Sequence, residues 1–154
     1  MPDSPIFALL NEIGIIEQLA RNRFERAQQD GLRLPQFTVL NHLVRLGDGR
    51  GPAQIARAFE VGKATMTNTL QRLEERGFIR LDPDPMDARG KRVMLTPAGR
   101  ARREEAVRRI TEDLAPVAAR MGLPPDELLP ALAALRQALD RARDGPTEGP
   151  ATTG

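Results

Sequence analysis

Three helical segments followed by two short strand segments occupy residues 35–96, and this order constrains the fold more than any other feature. Prolines at 35 and 52 begin the first two helices, because proline is favoured at the first helical position. The third helix is predicted over Lys63–Arg76 and ends at Gly77. Its predicted core residues recur at helical spacing: Met66, Leu70 and Leu73. Two helices joined by a tight turn predict a helix-turn-helix.

A β-hairpin is predicted to follow the third helix. Its strands are predicted to be Phe78–Leu81 and Lys91–Leu95. Between them, Asp82–Gly90 is predicted to be a turn-rich loop, because its two prolines exclude a helix and an interior strand. Thr96 is expected to cap a long helix. The predicted fold class is therefore mainly α with a small two-stranded β-wing, a winged helix-turn-helix.

The flanking segments are predicted to be helical. Ser4 and Pro5 begin a first helix that is more apolar than one-sided burial needs, which indicates a second packing partner. The last helix is expected to begin near Asp126 or later, because Pro130 is tolerable only in its first turn. Residues 145–154 are rich in Gly, Pro and Thr and are predicted to be disordered.

Charge is distributed unevenly along the chain. Net charge is −2 over residues 1–30, +7 over residues 31–103 and −3 over residues 104–154. A basic centre between acidic ends is typical of a nucleic-acid-binding surface. A solvated basic surface without a nucleic-acid partner is the alternative.

The side-chain inventory argues against an enzyme. Cys, Tyr and Trp are absent, Ser4 is the only serine and His42 the only histidine. Disulfides and thiolate metal sites are excluded, and we expect no catalytic residue, cofactor or bound metal. No apolar run approaches the ~20 residues that span a bilayer. The first residues lack the layout of a signal peptide, so we expect a cytoplasmic protein without a membrane partner.

The hairpin carries a motif. Asp87-Ala88-Arg89, five further residues and Leu95-Thr96 form the pattern D-x-R-x5-L-T. This pattern resembles the wing signature of the MarR family of bacterial transcriptional regulators. Leu73-Glu74, Gly77-Phe78-Ile79 and Asp84-Pro85 also match that family's pattern. The resemblance covers about residues 35–105, and the order of helices extends it to about residue 143.

The resemblance implies a homodimer on a roughly palindromic site in double-stranded DNA. It divides the chain into an N-terminal dimerisation helix (1–34), the winged helix-turn-helix (35–96), C-terminal dimerisation helices (97–144) and the tail (145–154). It also implies a repressor that a small phenolic or anionic effector releases from DNA. Such an effector pocket could be lined by Arg23, Phe24 and His42.

Residue roles in DNA binding follow as hypotheses. The third helix turns small polar residues away from its core stripe, and Asn and Gln side chains can pair with adenine. Base contacts are predicted for Thr65, Thr67, Asn68 and Gln71, and phosphate contacts for Lys63, Arg72, Lys91 and Arg92. Arg89 is placed at the wing tip and is predicted to enter the minor groove. Asp87 either orients the wing through a basic neighbour or caps the loop.

One position departs from the family pattern, since Leu81 stands where members often carry arginine. Arg80 precedes it, but strand alternation turns Arg80 to the other face, so that contact is not carried over. A cation site at Asp82, Asp84 and Asp87 is disfavoured by its spacing. His42 is more simply a structural residue than a metal ligand. A protein-binding winged helix and a small-molecule enzyme are the two rival functions.

Overall fold

The structure is a computed structural model that describes residues 4–122 and 124–143. These residues divide into two compact units, with the boundary after Asp113, and each unit is described separately. The tail that the sequence predicts to be disordered lies outside the described residues. The elements in chain order are α1 (Pro5–Ala27), α2 (Leu34–Leu46), α3 (Pro52–Ala58), α4 (Lys63–Glu75), β1 (Ile79–Asp84), β2 (Asp87–Leu95), α5 (Pro97–Arg120) and α6 (Pro125–Arg143). The predicted fold class, mainly α with a two-stranded wing, is confirmed.

The core of the first unit is formed by α2, α3, α4 and the two strands. The stripe predicted for α4 is buried, and its residues pack with apolar residues of the other elements. The buried cluster consists of Val39, Leu40, Leu43, Ile55, Ala56, Met66, Leu70, Leu73, Ile79 and Val93. Burial of each large aliphatic side chain contributes about 1.5–3 kcal/mol, so this cluster holds α4 and the wing together.

The last turn of α1 packs on a second, smaller cluster. Phe24 is the buried residue of α1, and it meets Leu32 and Ala106 there. The Phe24 and Phe37 ring centroids lie 4.7 Å apart. The rest of α1 leaves its large apolar side chains exposed, namely Ile6, Phe7, Leu9, Leu10, Ile15, Ile16 and Leu19. The excess of apolar surface expected for this helix is therefore present.

The hairpin differs from its prediction. β1 and β2 pair antiparallel from Ile79↔Leu95 to Pro83↔Lys91, and only Pro85 and Met86 separate the strands. The predicted loop Asp82–Gly90 is therefore wrong, and the strands are longer than Phe78–Leu81 and Lys91–Leu95. Both strands of a two-stranded sheet are edge strands, where proline is tolerated because alternate N–H groups face away from the partner.

The base of the wing has an additional backbone pairing. The N–H of Val93 donates to the Arg50 carbonyl (2.9 Å), and the N–H of Gly49 donates to the Val93 carbonyl (3.0 Å). The chain between α2 and α3 thus lies against β2.

In the second unit, α6 begins at Pro125 and contains Pro130 as its sixth residue. The prediction that Pro130 stands only in the first turn is wrong. A helical proline leaves one carbonyl without its donor, here that of Asp126. No residue of α6 is buried, so water can satisfy that carbonyl.

Candidate nucleic-acid interface

The exposed face of α4 carries the predicted DNA-contacting residues. All six, Lys63, Thr65, Thr67, Asn68, Gln71 and Arg72, are exposed. Two hydrogen bonds between residues four apart order this face. Arg72 Nε donates to Asn68 Oδ1 (3.2 Å), and Gln71 Nε2 donates to Glu75 Oε1 (3.1 Å). Such pairs stabilise a helix by a few tenths of a kcal/mol, and they are weak enough for base edges or phosphates to replace.

The turn between α3 and α4 sets the direction of α4. Glu60 has φ 52°, the left-handed conformation that ends a helix. The N–H of Val61 then donates to the Ala56 carbonyl (3.0 Å), which closes the turn. Gly62 precedes the first residue of α4. This arrangement is a helix-turn-helix.

The wing presents basic side chains on β2. Arg89 and Lys91 are exposed and have no ion-pair partner within the described residues. Arg92 is half-buried, and its Nε donates to Asp84 Oδ1 (3.2 Å). Arg89 lies within β2, three residues after Met86, in the stretch 88–90 that has no paired residue in β1.

Asp87 caps the start of β2. Its Oδ1 accepts a hydrogen bond from the backbone N–H of Arg89 (3.0 Å). Asp84 makes the same kind of contact with the N–H of Met86 (3.0 Å). Of the two roles predicted for Asp87, the loop-capping contact is the one observed, and it orders the backbone from which Arg89 projects.

Leu81 is the strand position that departs from the family pattern, and Arg80 precedes it. Leu81 is half-buried, and its N–H donates to Glu74 Oε1 (3.2 Å), which joins β1 to α4. Arg80 is exposed and binds Asp82 through two hydrogen bonds of 2.6 and 2.9 Å. The bonds from Arg80 lower the pKa of Asp82 below its ordinary value. Arg80 is thus engaged within the strand.

The three residues predicted for an effector pocket have different neighbours. Phe24 lies in the smaller core cluster. Arg23 donates to the Asp113 carboxylate, beside a cleft that Arg26 also lines. His42 meets the Phe59 ring edge-on, with centroids 5.1 Å apart. Their grouping in one pocket stays a prediction.

A cavity that sequence reasoning missed lies between α1 and the helix-turn-helix. Its volume is about 330 Å³. The lining residues are Arg21, Leu34, Pro35, Thr38, Phe59, Val61, Thr65, Met66 and Thr69. They come from α1, α2, the turn and α4, and no spacing rule connects positions so far apart in the chain. No local pattern marks these positions, since Thr65 is exposed and the hydroxyls of Thr38 and Thr69 donate to carbonyls of their own helices.

Residues 4–122 and 124–143 show no group of three His, Asp or Glu side chains that could hold a metal ion. Asp82, Asp84 and Asp87 instead bind Arg80, Arg92 and the Arg89 N–H respectively. Within the same ranges, no helix combines the length and hydropathy needed to cross a membrane.

The fold and this face define a winged-helix protein of the kind that binds nucleic acid. Residues 30–90 match the model of the MarR family. No curated protein sequence matches the chain. Over residues 30–90 the chain resembles the MarR family, whose members are transcription regulators, and its fold is that of a winged-helix regulator.

Solved structures of other proteins share this fold. BpsR of Bordetella bronchiseptica, described with regulation of its DNA binding by 6-hydroxynicotinic acid, is 27% identical, with a TM-score of 0.70 over 91% of this chain and 99% of BpsR. A mutant MarR of E. coli in complex with operator DNA is 24% identical, with a TM-score of 0.70 over 87% and 95%. The regulator BldR of Sulfolobus solfataricus is 22% identical, with a TM-score of 0.75 over 88% and 99%.

Proposed function

We propose that the protein is a dimeric repressor that binds a specific DNA sequence and releases it when a small effector binds. The observation that carries the proposal is the exposed polar face of α4 beside a wing on which Arg89 and Lys91 have no ion-pair partner among residues 4–122 and 124–143. Lys63 and Arg72 on α4 and Lys91 on β2 are exposed cations suited to phosphate contacts. Thr65, Thr67, Asn68 and Gln71 offer donors and acceptors suited to base edges.

Arg89 supplies the proposed contact of the wing with the minor groove. Its side chain is exposed on β2, and the narrow minor groove attracts arginine through its negative potential. The E. coli MarR structure in complex with operator DNA is a precedent on a similar fold.

Dimerisation is proposed from the uncovered apolar surface of α1. Seven large apolar side chains of this helix are exposed, and exposed apolar patches of this kind are typical of protein interfaces. In the other unit, α6 exposes Leu128, Leu129, Leu132 and Leu139. We propose that a second copy of the chain covers both faces. The two winged helices would then contact half-sites about one helical turn, ~34 Å, apart.

The cavity between α1 and α4 is the proposed effector site. Its volume of about 330 Å³ lies at the lower end of the range for ligand sites, ~300–1,000 Å³. Phe59 and Met66 offer apolar contacts, and Arg21 can bind a carboxylate. The hydroxyls of Thr38 and Thr69 donate to helix carbonyls, so their oxygens can accept a hydrogen bond from a phenol. Because Met66 belongs to α4, a ligand there can bias the position of α4.

A gel-shift experiment tests the DNA-binding proposal. The wild-type protein is titrated onto DNA from upstream of its own gene and onto duplexes selected from a random-sequence pool. We expect a discrete complex whose affinity falls steeply with salt, because each neutralised phosphate releases counterions. Absence of a preferred duplex in either experiment would overturn the proposal. Binding with a flat salt dependence would instead favour a protein-binding winged helix.

A further inference from the structure

Four side chains from three parts of the fold meet at the C-terminal end of α4. Gln28 and Asp30 come from the connection after α1, Arg76 directly follows α4, and Arg102 lies in α5. We term these four residues the Asp30 junction. All of them belong to the first compact unit.

The Asp30 carboxylate accepts hydrogen bonds from both arginines. Arg102 binds it in a bidentate manner, with Nε donating to Oδ2 (2.8 Å) and Nη2 to Oδ1 (2.5 Å). Arg76 Nη2 donates to Oδ2 (2.5 Å). Charge-assisted bonds of this kind are about twice as strong as neutral ones, and a bidentate pair also fixes orientation. The bonds from Arg102 hold the pKa of Asp30 well below its usual range, so the carboxylate stays ionised.

The junction is better shielded than an ordinary surface ion pair. The Arg102 side chain is only 10% exposed, and its Nη2 also donates to Oε1 of the buried Gln28 (2.9 Å). The Arg76 guanidinium lies 4.8 Å from the centre of the Phe78 ring. Exposed pairs contribute little because water screens them, whereas these partners hold the arginines in one geometry.

Arg76 makes the junction relevant to DNA recognition. It is the C-cap residue of α4, the helix that carries the candidate base contacts. A rigid helix of this length spans about 20 Å, so a tilt of roughly 5° at its C-terminus moves its N-terminus by ~1.7 Å. Binding geometry has to be held within about 0.5 Å. Loss of the contact at Arg76 can therefore misplace Thr65 and Asn68.

We propose that Asp30 is a positioning residue for sequence-specific DNA recognition, which it serves by joining Arg76 at the end of α4 to Arg102 in α5. Asp30 itself makes no DNA contact in this arrangement. The inference rests on the proposed function, since it assigns what orients the helix that contacts bases.

The first test compares Asp30→Asn with the wild type on two duplexes, one selected from a random pool and one of unrelated sequence. We expect affinity for the selected duplex to fall about tenfold, within the range of measured coupling between sites. Affinity for the unrelated duplex should stay within about twofold, because phosphate contacts tolerate small tilts. An equal loss of affinity for both duplexes, as misfolding would cause, overturns the inference. Unchanged affinity for both duplexes also overturns it.

The second test is a double-mutant cycle with Arg76→Gln. Arg76→Gln alone should reproduce the loss on the selected duplex, and the double variant should bind no more weakly than either single variant. Additive losses would overturn the inference. Arg33→Gln is the matched control, because Arg33 pairs with Glu25 across the same connection (2.8 Å); its affinity should be unchanged. If the wild type prefers no duplex, the proposed function fails instead.

Discussion

A Cβ atom built on Gly99 would lie 2.9 Å from the carbonyl carbon of Phe78 and would overlap its oxygen. The first turn of α5 passes this close to the start of the wing because Thr96 joins the two. The Thr96 N–H donates to the Phe78 carbonyl (3.1 Å), and Thr96 Oγ1 donates to the Gly77 carbonyl (2.6 Å). Backbone therefore packs directly on backbone where α5 leaves the hairpin.

Replacing Gly99 should destabilise the fold. Gly99→Ala puts a methyl group against a backbone carbonyl that cannot rotate away, so we expect the free energy of unfolding to fall by about 3 kcal/mol. Urea denaturation measures the change. Gly14→Ala is the control, because its Cβ would meet no described residue within 4 Å and it should stabilise α1 by up to ~1 kcal/mol. Equal stability of Gly99→Ala and wild type would contradict the close packing described here.

His42 should make stability depend on pH. Its Nε2 is buried and has no hydrogen-bond partner in the part of the chain that the structure describes. Burial, and then the charges of Arg50 and Arg45, lower the pKa of His42 below its ordinary value. As pH falls below about 6.5, the unfolded chain takes up the proton first. The contribution of His42 to stability is therefore fully present above that pH. It is lost as the pH falls toward the folded-state pKa.

The matching experiment follows the urea midpoint between pH 7.5 and pH 5 in wild type and in His42→Phe. The variant cannot titrate at this position, and its ring can still meet Phe59. The wild-type midpoint should fall more steeply than that of the variant. Parallel curves would show that other groups cause the acid sensitivity.

Local patterns are sufficient to predict the helices of the winged domain. The spacing of Met66, Leu70 and Leu73 defines the buried side of α4, and its opposite side follows from helical geometry. Thr96 caps α5 as predicted, since its Oγ1 accepts from the Gly99 N–H (3.0 Å). In each of these cases the information lies within a few residues of chain.

The errors arise where a local rule depends on surroundings. The rule that proline ends a strand holds for interior strands, whereas Pro83 lies in β1, which is an edge strand. The rule that confines proline to a first turn fails at Pro130, because the exposure of α6 leaves the freed carbonyl to water. The Asp30 junction is beyond sequence reasoning altogether, because positions 30, 76 and 102 meet only once the domain has folded.

Arg89 gives the most direct test of the wing. Arg89→Ala removes an exposed guanidinium that has no partner within the described residues, so the fold should be unaffected. Operator affinity should fall by about 1–3 kcal/mol, and the slope of log affinity against log salt should decrease by about one phosphate contact. Gel-shift titrations at four salt concentrations measure both.

Arg33→Ala is the matched control for Arg89→Ala. Arg33 is an exposed arginine that pairs with Glu25 (2.8 Å), and its loss should leave operator affinity unchanged. Unaltered affinity of Arg89→Ala would exclude Arg89 from the interface, and equal losses in both variants would indicate a non-specific charge effect.

The apolar surface of α1 predicts a dimer that one charge can break. Ile16 is 60% exposed in the single chain, and Ile16→Glu would bury an unpaired carboxylate if a second copy covers it. We expect the dimer dissociation constant to rise at least about thirtyfold, the effect of a typical interface hot spot. Analytical ultracentrifugation measures it. Gln18→Glu adds the same charge about 200° around the helix and should leave the dimer intact. Dimerisation of Ile16→Glu at wild-type affinity would show that this face of α1 lies outside the interface.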